Sequence, residues 1–359
     1  MADLDGWVTR FTKGEARALA RGLTWLEAGD PRGTALLARV RPQRSVTRVL
    51  GLTGAPGVGK STLADHLVEA WRTRGWRVGV LAIDPSSPIS GGSLLGDRVR
   101  LTRWAGDDGV FVRSMASRGR TGGLAPTAFD ALALMTAFGF DVLLLETVGV
   151  GQAEVDVVAV ADTTVVALAP GTGDDVQAAK AGLMEIADVF ALTQSDRPGA
   201  ARLAANVRES LDLRSAAGGG ASAATPEDAS WRPPVVELAV GVGVTERPQG
   251  FAADGGMGAL LAALDAHADH LAAAGAARGR DAARLRTEAA WRAQAALRVA
   301  LQDLWNADGA AVGGSDRSAT AMAVEALRRA AWRLANRREL EVHPHGHGVA
   351  HEPSDDADC

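Results

Sequence analysis

The sequence is short of cysteine and of long apolar runs. Its one cysteine is the final residue, Cys359, so no disulfide can form within the chain. No stretch approaches the roughly 18 uninterrupted apolar residues that a membrane-spanning helix needs. The first residues, MADLDGWVTRFTKGEARA, carry charges where a signal peptide has an apolar core. We therefore expect a cytoplasmic protein that is not bound to a membrane.

Positively charged residues are fewer than negatively charged ones. The 38 lysine and arginine residues are outnumbered by 43 aspartate and glutamate residues, and the net charge is −5. A chain with this balance has no overall basic field to attract nucleic acid, so we expect no nucleic-acid partner. Only three of the basic residues are lysines, Lys13, Lys60 and Lys180, and the last two lie in glycine-flanked motifs.

Apolar runs rich in β-branched residues alternate with segments of helical length between residues 46 and 243. Such runs predict buried strands of a mainly parallel sheet with helices on both faces, which is a doubly wound α/β domain. The runs are VTRVLGLTG, RVGVLAID, VFVRSM, DVLLLETV, TTVVALAP, DVFALTQ and VVELAV.

Helical patterns flank this domain. The segment EARALARGLTWLEAGDP predicts a helix that ends at Gly29 and Pro31. Apolar residues three and four positions apart within 257–338 predict amphipathic helices, and a Gly/Ala/Ser-rich stretch at about 214–230 predicts a mobile loop. The expected domains are an N-terminal helical extension (1–45), the α/β domain (46–250), a C-terminal helical arm (251–340) and a disordered histidine-containing tail (341–359).

The segment GLTGAPGVGKST contains the pattern Gly-x-x-x-x-Gly-Lys-Ser, follows a predicted strand and opens a predicted helix. Its glycines let backbone N–H groups curl around phosphates at a helix N-terminus. Lys60 would reach the β- and γ-phosphates, and the Ser61 hydroxyl would bind Mg²⁺. The sequence therefore predicts a nucleoside triphosphate site at this phosphate loop, residues 54–61. Its nucleotide-binding residues would be Gly54, Ala55, Pro56, Gly57, Val58, Gly59, Lys60, Ser61 and Thr62.

Three acidic residues are candidates for the surroundings of the magnesium ion. Asp84 ends a predicted strand. An aspartate at the end of a strand is equally often one that caps the following turn. Asp97 lies in the polar segment after this strand. Glu146 ends a buried strand and precedes Gly149, whose amide could sense a γ-phosphate. Gln152 could position the attacking water, although a solvated loop glutamine is the plainer interpretation.

The segment APGTGDDVQAAKAG, residues 169–182, follows another predicted strand. Its two glycines allow a tight turn, and its two aspartates would cap a helix that carries Lys180. From the residues alone, a capped helix with a surface lysine is the simpler interpretation of Lys180.

Together these segments resemble the MeaB family (also called ArgK or MMAA) of G proteins, which chaperone adenosylcobalamin-dependent acyl-CoA mutases. The resemblance implies a P-loop GTPase fold of the SIMIBI type with N- and C-terminal helical extensions, the latter forming a homodimer arm. It runs through GEARALARGLTWLEAG, GAPGVGKSTL, DPSSPISGGSLLGDR, RSMASRG, GGLA, ETVGVGQAEVD and PGTGDDVQAAKAGLMEIADVF.

The resemblance also implies ligands and residue roles. GTP or GDP would be bound with Mg²⁺, and adenosylcobalamin would be carried by the partner mutase rather than by this chain. Lys180 would lie in a mobile switch segment and help partner-stimulated hydrolysis, which reverses the interpretation drawn from the residues alone. The implied catalytic residues are Lys60, Glu146, Gln152 and Lys180, and the implied metal neighbourhood is Ser61, Asp84, Asp97 and Glu146.

The sequence departs from the family where the base-reading motif Asn-Lys-x-Asp is replaced by Thr193, Gln194, Ser195 and Asp196. The Asp196 carboxylate can still pair with guanine N1–H and N2–H₂, donors that adenine lacks. Gln194 is shorter than the lysine whose stem covers the base, and Thr193 replaces an asparagine that ties the pocket to the phosphate loop. A second base-contact loop has Val240 and Gly241 in place of an expected Ala-Ser pair. Losing two or three contacts of about 1 kcal/mol each predicts a pocket that prefers guanine but binds it more weakly.

The sequence is compatible with several functions. The leading hypothesis is a GTPase switch that gates adenosylcobalamin delivery to an acyl-CoA mutase, such as methylmalonyl-CoA mutase, and protects or reactivates it. The altered base motif leaves room for a nucleotide-binding scaffold with little hydrolysis, or for an ATP-using ATPase or kinase. Metal delivery through His343, His345, His347 and His351 is disfavoured because the paired cysteines that often serve metal loading are missing.

Overall fold

The computed structural model describes residues 4–40, 47–84, 102–116, 126–147, 157–171, 183–216, 231–239 and 256–273, together with residues 280, 282, 284–294, 296 and 297. By its internal contacts the chain divides into two units, Met1–Glu288 and Ala289–Cys359, and all elements below belong to the first. Several sequence-based predictions lie outside the described residues, namely those for Asp97, Gly149, Gln152, Lys180, Val240 and the tail 341–359.

Seven strands of the described residues form one sheet. They are β1 (Arg48–Thr53), β2 (Val78–Asp84), β3 (Val110–Ala116), β4 (Val142–Thr147), β5 (Thr163–Leu168), β6 (Val189–Leu192) and β7 (Val235–Glu237). Their order is β3-β2-β4-β1-β5-β6-β7 and every pairing is parallel. Each strand lies within one of the seven apolar runs, apart from the last residue of β3, so the prediction of a doubly wound, mainly parallel sheet is confirmed.

The strand order places β1 at the centre of the sheet. After β1 the chain builds β2, β3 and β4 on one side of it and β5, β6 and β7 on the other. The carboxyl end of β1 therefore lies where the strand order reverses, and open α/β sheets bind their ligands at this point.

Helices cover both faces of the sheet. They are α1 (Leu4–Thr12), α2 (Ala16–Ala28), α3 (Pro31–Val40), α4 (Lys60–Thr73), α5 (Pro126–Phe138), α6 (Leu183–Ile186), α7 (Ala200–Ala216) and α8 (Gly256–Ala273). Because successive strand residues point to opposite faces, Val165 and Ala167 pack with α4 and α8, whereas Val166 and Leu168 pack with α6 and α7. No helix of the described residues is long and apolar enough to cross a bilayer.

The three N-terminal helices precede the sheet; α2 and α3 pack against α5, and α2 also packs against β3. Helix α2 ends at Gly29, whose φ of 69° is left-handed and whose N–H donates to the Leu26 carbonyl, as glycine commonly does after a helix. The predicted end at Gly29 is confirmed. Pro31, however, also opens a new helix, α3, because proline fits the first helical position, where its missing N–H is not needed.

A buried polar network joins the amino ends of β5 and β6 to the segment that follows α8. Asp188, which is 1% exposed, accepts hydrogen bonds from the Thr164 N–H at 2.7 Å and from the Arg280 guanidinium at 2.8 Å. His267 of α8 lies beside this pair and places its Nδ1 2.8 Å from the Thr163 hydroxyl. A buried ion pair that also has hydrogen bonds to the backbone fixes its partners in one geometry.

Asp162 extends the same network toward β1. Its carboxylate accepts the Val49 N–H at 2.7 Å and the Arg284 guanidinium at 2.6 Å, while its carbonyl accepts from Arg280 at 2.6 Å. Two aspartates at the amino edge of the sheet therefore hold two arginines of the segment after α8. This edge is opposite the carboxyl ends of the strands, where the predicted nucleotide site lies.

Candidate nucleotide-binding site

The phosphate loop joins the carboxyl end of β1 to the first turn of α4, as the sequence predicts. Two of its glycines are required by geometry. Gly54 has a φ of 136°, and a Cβ added to it would lie 2.2 Å from the Ala167 carbonyl oxygen of β5. Gly59 has a φ of 92°, which residues with a side chain rarely adopt. The loop can therefore turn tightly against β5 and enter α4 at once.

Lys60, the first residue of α4, folds back over this loop. Its Nζ donates to the carbonyl oxygens of Gly54 at 2.6 Å and Ala55 at 2.9 Å, and the residue is only 7% exposed. The ammonium is therefore held at the loop, and the lysine side chain is buried instead of extending into solvent. Phosphate oxygens carry charge and are stronger hydrogen-bond acceptors than carbonyl oxygens. The Lys60 ammonium can therefore exchange its carbonyl acceptors for the oxygens of a phosphate.

Ser61 and Glu146 meet beside the loop. The Ser61 hydroxyl donates a hydrogen bond of 2.8 Å to Glu146 Oε1, and Glu146 at the end of β4 is 5% exposed. A hydroxyl and a carboxylate at one point form an oxygen donor set of the kind Mg²⁺ prefers, so the residues present fit a magnesium ion. The two residues that sequence patterns named separately are brought together by the pairing of β1 with β4.

Two buried threonines, which the sequence patterns did not single out, lie beneath this pair. The Thr147 hydroxyl lies 3.2 Å from the Thr53 hydroxyl and 3.4 Å from the Leu52 carbonyl oxygen, and both threonines are fully buried. They link the carboxyl ends of β1 and β4 and so fix Glu146 relative to the loop. In the sequence, the signal for these two residues is a threonine near the end of each of two apolar runs.

The remaining predicted metal neighbours are only partly described. Asp84 is the last residue of β2, and β2 pairs with β4 such that Ile83 lies beside Thr147. Its backbone therefore reaches the same edge of the sheet as Glu146, while its side chain is outside what the structure describes. Asp97 is likewise outside the described residues.

Thr193 follows β6 and contacts the phosphate loop directly. Its hydroxyl donates to the Val58 carbonyl oxygen at 2.5 Å, the Leu168 carbonyl oxygen lies 3.0 Å from the same hydroxyl, and the residue is fully buried. We expected the exchange of asparagine for threonine to remove the tie between the base pocket and this loop. That expectation is wrong, because the threonine hydroxyl itself reaches the loop backbone.

Gln194 and Asp196 of the altered motif differ sharply in exposure. Gln194 is 4% exposed and has a φ of 57°, a left-handed conformation that is uncommon for residues other than glycine. The position that a Cβ of Gly59 would take is 3.9 Å from Gln194 Nε2, so the amide packs at the loop. Asp196 is exposed, and its carboxylate has no hydrogen-bond partner among the described residues, which leaves it available to a ligand.

An ion pair holds the far end of α4. The Arg72 guanidinium makes two hydrogen bonds of 2.8 Å to the Asp107 carboxylate, which also accepts the Gly109 N–H at 2.8 Å. The hydrogen bonds from Arg72, followed by the one from Gly109, lower the pKa of Asp107 below its usual value. The helix that begins at Lys60 is therefore fixed at both ends.

Comparison with known protein families gives a match over most of the chain. Residues 19–306 match the model of the family described as methylmalonyl-CoA mutase-associated GTPase MeaB. A putative GTPase of Pyrococcus abyssi is 47% identical over 234 residues, which are 65% of this chain and 70% of the relative. The mitochondrial methylmalonic aciduria type A homolog of Mus musculus is 35% identical over 262 residues, 68% of this chain and 61% of that protein.

A solved structure shares the fold. The crystal structure of LAO/AO transport system kinase matches with a TM-score of 0.58 and 24% identity, over 93% of this chain and 98% of that chain. The likeness supports a P-loop α/β fold and no more than the fold.

Proposed function

The chain belongs to the MeaB family of methylmalonyl-CoA mutase-associated GTPases, and from that premise we propose that it binds GTP with Mg²⁺ and hydrolyses it. We further propose that this cycle gates the delivery of adenosylcobalamin to a B12-dependent acyl-CoA mutase and protects or reactivates that mutase. The partner is methylmalonyl-CoA mutase or a relative, and it carries the adenosylcobalamin.

The observation that carries this proposal is the grouping of three side chains at one end of the sheet. Lys60 donates to two carbonyl oxygens of the phosphate loop, and the neighbouring Ser61 donates to Glu146. An ammonium, a hydroxyl and a carboxylate next to loop glycines supply what phosphate binding with a divalent ion requires. A protein that does not bind a triphosphate has no need of an ammonium, a hydroxyl and a carboxylate grouped at such a loop.

Each group has a distinct role in the proposed reaction. The backbone N–H groups of the loop and Lys60 bind the phosphates and stabilise the charge that develops on their oxygens. Ser61, with Glu146 beside it, would hold Mg²⁺, which when bound neutralises charge on the β- and γ-phosphate oxygens. Glu146 would also accept a hydrogen bond from the attacking water. Gln152 and Lys180, from segments outside the described residues, are proposed to complete the catalytic set.

The base is proposed to be guanine, recognised by Asp196. Its exposed carboxylate is free to accept from guanine N1–H and N2–H₂, and adenine offers no such pair of donors. Gln194 covers less of the base than a lysine stem, so the preference is retained at reduced affinity. We also propose that Gly149 and Val240 contribute to nucleotide binding and that residues 251–340 form the arm of a homodimer.

Calorimetry with Mg²⁺ tests the nucleotide part of the proposal. GTP and GDP should bind more tightly than ATP, and Asp196→Ala should remove that preference while Asp108→Asn, an exposed aspartate of the described residues, leaves it intact. Equal affinity for ATP would instead support an ATP-using enzyme.

Assays with the purified mutase test hydrolysis and its effect on the mutase. Phosphate release should rise when the purified mutase is added, and mutase activity should be protected only by a chain that can bind nucleotide. Lys60→Ala should abolish both effects. If Lys60→Ala protects the mutase as well as the wild type does, the chain acts as a scaffold and the switch proposal fails.

A further inference from the structure

The Thr193 hydroxyl is held rigidly against the phosphate loop. The Thr193 N–H donates to the Leu168 carbonyl oxygen at 2.8 Å, which continues the pairing of β6 with β5. The backbone is thereby fixed, and a β-branched side chain is restricted at χ1. The hydroxyl oxygen lies 2.5 Å from the Val58 carbonyl oxygen and 3.0 Å from the Leu168 carbonyl oxygen, and it donates to the nearer of the two, that of Val58.

The contact fixes the orientation of one peptide group of the loop. In a trans peptide the C=O and the following N–H point in opposite directions, and no peptide bond of the described residues is cis. The Val58 carbonyl faces Thr193, so the Gly59 N–H faces away from it. Glycine adopts positive and negative φ with similar ease, so Gly59 alone does not prevent this peptide from turning over.

We propose that Thr193 is a positioning residue for phosphate binding and not for base recognition. Its hydroxyl holds the Val58–Gly59 peptide so that the Gly59 N–H stays oriented to donate to a phosphate oxygen. The proposal rests on the proposed nucleotide binding and assigns this motif position to a different part of the ligand. Base discrimination then depends on Asp196, which is exposed, whereas Thr193 is fully buried.

Three variants separate the two roles. Thr193→Val keeps the shape and removes the hydroxyl, and Thr193→Ser keeps the hydroxyl. Thr164→Val is the matched control, because Thr164 is also fully buried and its hydroxyl has no hydrogen-bond partner among the described residues. Affinities are measured by calorimetry for GDP, for ADP and for pyrophosphate, which has no base.

Thr193→Val should weaken GDP and pyrophosphate by the same factor, about five- to tenfold, and leave the ratio of GDP to ADP affinity unchanged. Thr193→Ser and Thr164→Val should bind like the wild type. A Thr193→Val variant that loses GDP affinity but keeps pyrophosphate affinity, or that changes neither, overturns the proposal.

A variant that fails to fold and a wild type that binds no ligand have different meanings. If Thr193→Val does not fold, Thr193→Ser decides, because a folded serine variant with weakened pyrophosphate binding contradicts a role for the hydroxyl. If the wild type binds neither GDP nor pyrophosphate, the proposed nucleotide binding fails and takes this inference with it.

Discussion

Ser61 and Glu146 are 85 positions apart in the chain, yet the serine hydroxyl donates a hydrogen bond of 2.8 Å to the glutamate carboxylate. The serine lies in the first turn of the helix after β1, and the glutamate is the penultimate residue of β4, the neighbouring strand. The contact exists because the two parallel strands end at the same edge of the sheet. It places both proposed magnesium ligands at one point of this edge.

Ser61→Ala should remove most of the magnesium dependence of GTP binding. The alanine variant loses the hydroxyl ligand, so the gain in GTP affinity on adding Mg²⁺ in place of EDTA should fall by about tenfold, which corresponds to about 1.4 kcal/mol. Calorimetry in the two buffers gives this ratio. Ser61→Thr keeps a hydroxyl and should retain the dependence. An alanine variant with the full magnesium effect would show that the ion is held elsewhere.

Gln194→Lys should strengthen guanine nucleotide binding. Gln194 is buried at the loop in a left-handed conformation, and a lysine there has a longer stem to cover the base. One added packing contact of about 1 kcal/mol predicts roughly fivefold tighter GDP binding. Pyrophosphate, which has no base, is the internal control and should bind as before. A parallel gain for pyrophosphate would mean that the new charge acts on the phosphates.

Asp107→Asn should lower the free energy of unfolding by about 1–2 kcal/mol at pH 7, because it breaks two charge-assisted hydrogen bonds from Arg72. The folded-state pKa of Asp107 is lowered, so its contribution is present above the unfolded pKa of about 3.9. It is lost as the pH falls through the folded value. The gap between wild type and variant in urea titrations should therefore narrow below about pH 4. Asp108→Asn, at an exposed neighbour, should change the free energy of unfolding at pH 7 by less than about 0.5 kcal/mol.

Arg280→Ala should destabilise the fold by about 3–5 kcal/mol, because it leaves the buried Asp188 carboxylate without its cation. Arg286→Ala changes an exposed arginine of the same segment and should cost less than about 0.5 kcal/mol. Thermal unfolding of both variants gives the comparison. Equal stability of the two would mean that the network at the amino edge of the sheet contributes little.

Much of the fold follows from local patterns. Seven apolar runs gave seven strands, because a parallel sheet covered on both faces needs continuously apolar strands. The spacing of the phosphate loop likewise predicted which residues lie between β1 and α4. The prediction that Pro31 follows the end of a helix was correct, but it missed that Pro31 also begins the next one. Proline interrupts a helix and also suits the first position of another.

The contacts between distant residues could not be predicted in the same way. Counting side chains in the base motif suggested that replacing an asparagine loses a tie, but a hydroxyl on a shorter side chain reaches Val58 because β6 ends so close to the loop. Asp188 and Arg280 are 92 positions apart, and no periodicity links an aspartate before a strand to an arginine after a distant helix. Such pairs depend on the packing of complete elements.

Strand β6 is only four residues long, and all four are buried. Asp188, which holds Arg280, directly precedes it, and Thr193, which holds the phosphate loop, directly follows it. The apolar letters of the strand can be exchanged for others of similar volume, but inserting or deleting one residue would turn its side chains to the opposite face and detach one of the two ends. The length of this segment is therefore far less free to drift than its composition.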